Sequence, residues 1–292
     1  MDSIFIYVIL AVLGLAMGSF AGATVWRLRA RQLEEDRKAG EKIDKKEYEK
    51  LSPLTNATSL DDRSRCLHCG HTLAWYDLLP LVSWVSTGGK CRYCHAPIGK
   101  LEPLMELGMA TFFVVSFAFW PVPLTEAFEV VRFILWLIAG VLLVILFVYD
   151  SKWYLLPNRV VFPLIGVGVV YATLSLMSMH DVASALLSLC IGIAILSGLY
   201  FVLWILSKGA WIGFGDVKLG LALALFLGEW PLAFLALFGA NLIGCLLVAA
   251  GMVTGKISRG TRIPFGPLLI VGAFIAMLWG GAIMQWYFMT FA

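Results

Sequence analysis

Eight stretches of mostly apolar residues follow one another along this chain, at positions 4–26, 101–120, 127–149, 160–178, 182–206, 217–228, 232–254 and 267–288. A helix that crosses a bilayer needs about 20 such residues, because each adds about 1.5 Å and the hydrocarbon layer is about 30 Å thick. The sixth stretch falls well short of that. It is expected to be tilted, half-buried or broken, a departure tolerated where backbone faces protein or a cavity. Composition agrees: 60% of the residues are hydrophobic and 14% charged, against about 45–50% and about 25% in soluble domains. The predicted fold is an all-α polytopic membrane protein of about eight transmembrane helices. The first stretch has no basic segment before it and no small-residue cleavage site leading into a soluble domain, so it is read as a retained helix.

Charge is concentrated in one insert. Fourteen of the 22 Lys and Arg residues lie between Arg27 and Lys100. With that insert on one side of the membrane, alternate turns bring Lys152, Arg159, Lys208, Lys218, Lys256, Arg259 and Arg262 to the same side and leave Arg132 on the other. The positive-inside rule then makes the insert cytoplasmic and the chain a multi-pass protein of the cytoplasmic (inner) membrane. Trp26, Trp120, Trp153, Tyr154, Trp211, Trp230, Trp286 and Tyr287 stand near the ends of the stretches, as interfacial aromatic belts do. The expected organisation is a first transmembrane helix (1–29), a small cytoplasmic loop domain (30–100) and a seven-helix core (101–292). Within the loop, the mixed-charge run 31–50 reads as a solvated helix. A formal charge of +3 is too small to suggest nucleic acid as a partner, and nothing in the pattern sets an oligomeric state.

Two Cys-x-x-Cys pairs, Cys66–Cys69 and Cys91–Cys94, lie within the insert. Paired knuckles at this spacing suit a tetrahedral four-thiolate zinc site. A reducing cytoplasm disfavours the disulfide alternative. Four thiolates leave no open position for water, so the zinc is expected to be structural and to fold a loop that lacks a core of its own. Gly70 and the pair Gly88-Gly89 supply backbone freedom for the turns. His68, His71 and His95 stand beside the knuckles as weaker candidates for ligands, and Cys190 and Cys245 read as small packing residues inside apolar helices.

Outside the insert, acids are scarce. Asp150 closes the third stretch and Asp216 follows Gly213-Phe214-Gly215, both level with the cytoplasmic side of the topology above. The plain reading is a pair of interfacial helix caps. The chemical reading is a dyad: two carboxyls held close share one proton, so one can take a proton from water while the other protonates the scissile carbonyl. Gly213 and Gly215 would let substrate backbone approach Asp216, with Lys218 beside them. If Asp216 caps its helix, the dipole favours its anion and leaves the shared proton on Asp150, at a helix C-terminus.

Gly18-Ser19-Phe20, the double Cys-x-x-Cys insert, Glu106, Asp150 with Leu156-Pro157-Asn158, Gly213 to Leu219, and Ile263-Pro264-Phe265-Gly266-Pro267 together resemble the bacterial type IV prepilin peptidases, over nearly the whole chain and in order. The resemblance implies an inner-membrane aspartic endopeptidase that removes the short basic leader of prepilins and type II secretion pseudopilins, with Asp150 and Asp216 as the catalytic pair. It also implies, for many members, methylation of the new N-terminus with S-adenosylmethionine. The sequence departs from the family at Gly22, where an Asn is usual, at Arg29, which replaces the Pro of a Leu-Pro pair, and in the length of 31–62; these bear on the methyltransferase half. Two rival readings stand beside it. A presenilin-like intramembrane aspartyl protease also uses Tyr-Asp and Gly-x-Gly-Asp, but gives the cysteine loop no role. A cation transporter or membrane scaffold would place the aspartates near the bilayer midplane, within an inverted repeat.

Overall fold

A computed structural model describes residues 3–54, 63–255, 258, 261 and 263–291. Lys256, Arg259 and Arg262 of the charge argument lie outside the described residues. The chain divides into two compact units, Met1–Phe117 and Ala118–Ala292.

In the first unit, α1 (Ser3–Lys38) is a single helix of 36 residues, about 54 Å long and so well beyond the apolar thickness of a bilayer. The chain turns at Gly40 and enters α2 (Lys45–Leu51), where the Asp44 side chain accepts from the backbone N–H groups of Lys46 and Glu47. The charged run 31–50 is therefore the end of one helix and the whole of another. Ala30, Leu33 and Leu51 form a small buried core between them, flanked by Trp26, Ile43, Tyr48, Leu54 and Leu67. Arg29 and Glu47 pair across it at 2.6 Å. The loop thus has some core of its own, more than a wholly solvated helix would give it. A short helix, α3 (Val82–Ser86), lies between the two cysteine pairs.

Next comes α4 (Leu101–Ala118), which packs backbone to backbone on α1. A Cβ at Gly14 would stand 2.6 Å from the Ala110 Cα, and one at Gly18 2.5 Å from the Glu106 Cα. Gly14 and Gly18 thus form a Gly-x-x-x-Gly face, which lets membrane helices approach closely.

The second unit holds α5 (Ala127–Trp153), α6 (Asn158–Met177), α7 (Val182–Ile193), α8 (Leu199–Ser207), α9 (Phe214–Leu227), α10 (Trp230–Val253) and α11 (Gly266–Phe291). A π turn, Ala194–Gly198, joins α7 to α8 into one span. Among the described residues, seven helices are long and apolar enough to cross a membrane. The remaining stretch, the sixth, is α9, whose 14 residues reach only about 21 Å. Its residues from Val217 to Leu227 are buried except Lys218 and Leu221, and it packs on α6, α7, α8, α10 and α11. A helix apolar all round belongs inside the bundle, and α9 sits there. Arg132, the base that the topology leaves on the far side, bonds Glu129 at 2.9 Å and the Tyr171 hydroxyl at 3.1 Å.

Candidate active site and metal centre

Asp150 lies in the last turns of α5, 6% exposed, before Tyr154 ends the helix in a left-handed cap. Its Oδ2 accepts a buried 3.0 Å hydrogen bond from the backbone N–H of Gly266, the first residue of α11. A Cβ on Gly266 would come within 2.6 Å of that same oxygen and 3.5 Å of Leu219 of α9. Gly266 is therefore the point where α5, α9 and α11 converge, and only a residue without a side chain fits there. Asp216 occupies the first turn of α9, half-buried. Leu219, which meets the Gly266 position, lies one turn from Asp216 on α9, so both aspartates stand around the same point.

This geometry removes the ground on which the shared proton was placed on Asp150. The N-cap of α9 is Gly213, not Asp216. Asp150, although near the end of its own helix, rests against the first N–H of α11. Both carboxyls thus face N–H groups at a helix N-terminus, and the dipole no longer separates them. The neighbouring residues also divide. Gly213 is exposed, whereas Gly215 is pressed against Leu156, 3.0 Å from where its Cβ would be. The Lys218 ammonium donates to Asn158 Oδ1 and lies over the rings of Phe162 and Phe214, at 5.6 and 5.4 Å. Leu156 and Asn158 of the 156–158 motif are therefore neighbours of the Asp216 turn.

In the first unit the four sulfurs of Cys66, Cys69, Cys91 and Cys94 lie within 4.8 Å of one another and can hold a metal ion. The Cys66 and Cys94 sulfurs are 3.9 Å apart; a tetrahedral zinc with bonds of about 2.3 Å requires about 3.8 Å, so the set fits that ion. The knuckles are copies of each other. Cys66 N–H donates to the His71 carbonyl and Gly70 N–H to the Cys66 carbonyl; Cys91 N–H donates to Ala96 and His95 N–H to Cys91, each at 2.9 Å. The turn residue with positive φ is Gly70 (70°) in the first and His95 (56°) in the second. Gly88 and Gly89 have positive φ too, but they close α3 under Trp84. His71 stacks on Tyr93 at 3.7 Å. Burial raises the Cys91 thiol, yet the N–H groups of Cys94 and Tyr93 and the thiols of Cys66 and Cys94 bring its pKa down to about 7.

Two packing roles in this unit were not assigned from the sequence. Glu106, 7% exposed, accepts a 2.7 Å hydrogen bond from the Leu81 N–H and so anchors the cysteine loop to α4. The signal was a second acid, one turn after Glu102, inside an apolar stretch. The Gly14/Gly18 face was written in the spacing itself.

Comparisons with known proteins give the family. Residues 12–120 match the bacterial peptidase A24 N-terminal domain and residues 136–249 the type IV leader peptidase family. A prepilin leader peptidase/N-methyltransferase of Pseudomonas aeruginosa is 30% identical over 279 residues, 94% of this chain and 91% of the relative. One so named from Aeromonas hydrophila is 31% identical over 229 residues, 78% of this chain and 76% of the relative. Another, from Stutzerimonas stutzeri, is 29% identical over 94% of this chain and 91% of its own. No solved structure matches.

Proposed function

We propose a function from one premise: the chain belongs to the type IV leader peptidase family. It is a membrane aspartic endopeptidase that removes the basic leader from type IV prepilins or type II secretion pseudopilins. Asp150 and Asp216 are its catalytic pair. The observation that carries this reading is the convergence of the ends of α5, α9 and α11 on Gly266, with Asp150 bonded to it and Asp216 one turn from the Leu219 that meets it. One carboxylate takes a proton from water as its oxygen bonds to the scissile carbonyl carbon; the other carboxyl gives its proton to the carbonyl oxygen. The tetrahedral intermediate then collapses, the C–N bond breaks and the amine nitrogen takes the proton. The exposed Gly213 offers substrate an approach to Asp216, whereas Gly215 and Lys218 act on the substrate side only through the turn they hold.

The uneven distribution of Lys and Arg supports a cytoplasmic position for the cysteine loop and the active site, where a leader would remain while its apolar helix lies in the bilayer. Cys66, Cys69, Cys91 and Cys94 would hold a structural zinc. The parts of the chain would then be the first helix (1–29), the zinc loop (30–100) and the peptidase core (101–292). For the methyltransferase half named in the relatives, S-adenosylmethionine would be the methyl donor. Gly22, where the family's Asn is missing, faces Met105 Sδ at 3.8 Å from its Cβ position; no amide stands there, and no step of methyl transfer is assigned to it. The mass of the mature substrate N-terminus decides between peptidase alone and peptidase with methyl transfer.

Co-expression with a prepilin tests the main reading. Leader removal should occur with the wild type and vanish with Asp150→Ala and with Asp216→Ala, both variants remaining inserted in the membrane. Full processing by either variant would eliminate the dyad.

A further inference from the structure

One buried group beside the dyad has no hydrogen-bond partner among the described residues. Contacts between the π turn with α8 and the antiparallel α9 fix its place. The Leu196 carbonyl lies 2.1 Å from where a Gly220 Cβ would be, Ser197 Oγ donates to the Val217 carbonyl at 2.9 Å, and the rings of Trp204 and Phe214 meet at 5.1 Å. As the first helix ascends from 196 to 204, the second descends from 220 to 214. Tyr200 lies between Ser197 and Trp204 on one side; Asp216 lies between Val217 and Phe214 on the other. The register therefore brings Tyr200 opposite the first turn of α9. The π turn Ala194–Gly198 contributes to this: its additional residue rotates everything after it by about 100°.

The Tyr200 ring, 4% exposed, packs edge-on against Phe265 at 5.4 Å and 62°. The next residue, Gly266, is the donor to Asp150. Tyr200 is thus placed between α9, which carries Asp216, and the segment whose Gly266 bonds Asp150. Its hydroxyl is buried and has no hydrogen-bond partner among the described residues. Buried tyrosine hydroxyls ordinarily find one. If packing on Phe265 were the side chain's whole task, phenylalanine would perform it without burying an unpaired hydroxyl.

We propose that Tyr200 is a third catalytic residue, whose hydroxyl donates a hydrogen bond to the scissile carbonyl oxygen of the substrate as that oxygen becomes part of the tetrahedral intermediate. The inference rests on the dyad reading above. Tyr200 transfers no proton: water and the two carboxyls balance the reaction as before, and the hydroxyl stabilises charge that builds on the oxygen while the carbonyl π bond opens. A donor fixed in advance at such an oxygen acts mainly in the transition state.

The test uses the purified full chain in detergent with a prepilin substrate that retains its leader and apolar helix. Wild type, Asp216→Asn and Tyr200→Phe are compared for kcat, KM, pH profile and thermal unfolding. Tyr200→Phe should lower kcat by about 100-fold, leave KM within about twofold and keep both limbs of the pH profile in place. An unchanged kcat overturns the proposal. So does a loss confined to KM, which would mean packing or binding alone, or a displaced limb, which would mean that Tyr200 acts through Asp216. Should Tyr200→Phe unfold, 3-fluorotyrosine at position 200 keeps the hydroxyl and the shape while making the O–H a stronger donor; a kcat identical to wild type then overturns the proposal. An inactive wild type or an active Asp216→Asn sinks the dyad and this inference with it. Active wild type, inactive Asp216→Asn and full-rate Tyr200→Phe sink the Tyr200 inference alone.

Discussion

The two units of this chain position their chemical groups by opposite means. In the cysteine loop, each pair of sulfurs is set by a single tight turn, and the same two backbone hydrogen bonds recur in both knuckles. Among the described residues, the buried apolar cluster here is Ala30, Leu33 and Leu51 with their flanking side chains. In the second unit no short turn brings the aspartates together. They stand on helices far apart in sequence, and their place is fixed by packing around large buried side chains such as Trp136, Tyr149, Tyr171 and Phe226. A loop with little core depends on its metal for folding free energy. A bundle of apolar helices can hold two costly carboxyls by shape alone. Damage to the first should therefore appear as lost structure, and damage to the second as lost rate.

Metal removal should give the largest effect. Cys91→Ser, or chelation, removes a term on the order of 10 kcal/mol from folding of the loop. Limited proteolysis should then cut within residues 63–100, with zinc content falling to zero by elemental analysis. A metal-free loop that resists protease as the wild type does would break the comparison. Next comes Asp216→Asn, expected to reduce processing by about 10⁴-fold, the upper range for acid–base groups. Zinc content and protease resistance should stay unchanged. Gly266→Ala is smaller and more informative. Its Cβ would stand 2.6 Å from Asp150 Oδ2, so the carboxyl must move, and a misplacement of this order costs about 100-fold in rate. Overpacking adds about 1–3 kcal/mol of destabilisation. Rate loss out of proportion to the shift in unfolding temperature is the signature to look for; a variant that loses stability but processes normally would mean that the Gly266 contact is only packing.

How far the sequence could be read follows the same division. The metal cluster is local, so the spacing of Cys66, Cys69, Cys91 and Cys94 announced it. Seven long apolar stretches announced seven long helices, and the short sixth stretch announced the unusual α9. The partners of Asp150 and Asp216 were out of reach. Gly266 is 116 positions from Asp150, and its role appears only when α11 starts against α5. The dipole argument for the proton failed for that reason: it considered each aspartate's own helix and could not see the N-terminus of another. Tyr200 was hidden too, one of three aromatics in its apolar stretch, because a π turn has no composition of its own and still decides which side chain faces α9. The Gly14/Gly18 spacing is the contrary case, a local signal that was present and passed over.

The smallest effect sharpens the comparison from the side of the loop. The knuckles are equivalent turn for turn, yet the position held by Gly70 in one is held by His95 in the other, at φ of 70° and 56°. For any residue with a Cβ this left-handed conformation costs about 1–2 kcal/mol. Glycine adopts it freely, but also loses more chain entropy on folding. His95→Gly should thus stabilise the loop by no more than about 1 kcal/mol. The ring of His95 is exposed and belongs to neither the sulfur cluster nor a stacked pair of aromatic rings, so its removal takes little away. Slower zinc transfer to a competing chelator, with kcat for prepilin unchanged, is the expected result. Faster transfer would show that His95 supports the metal in a way the matching turns do not reveal, and the likeness of the two knuckles would then stop at their backbones.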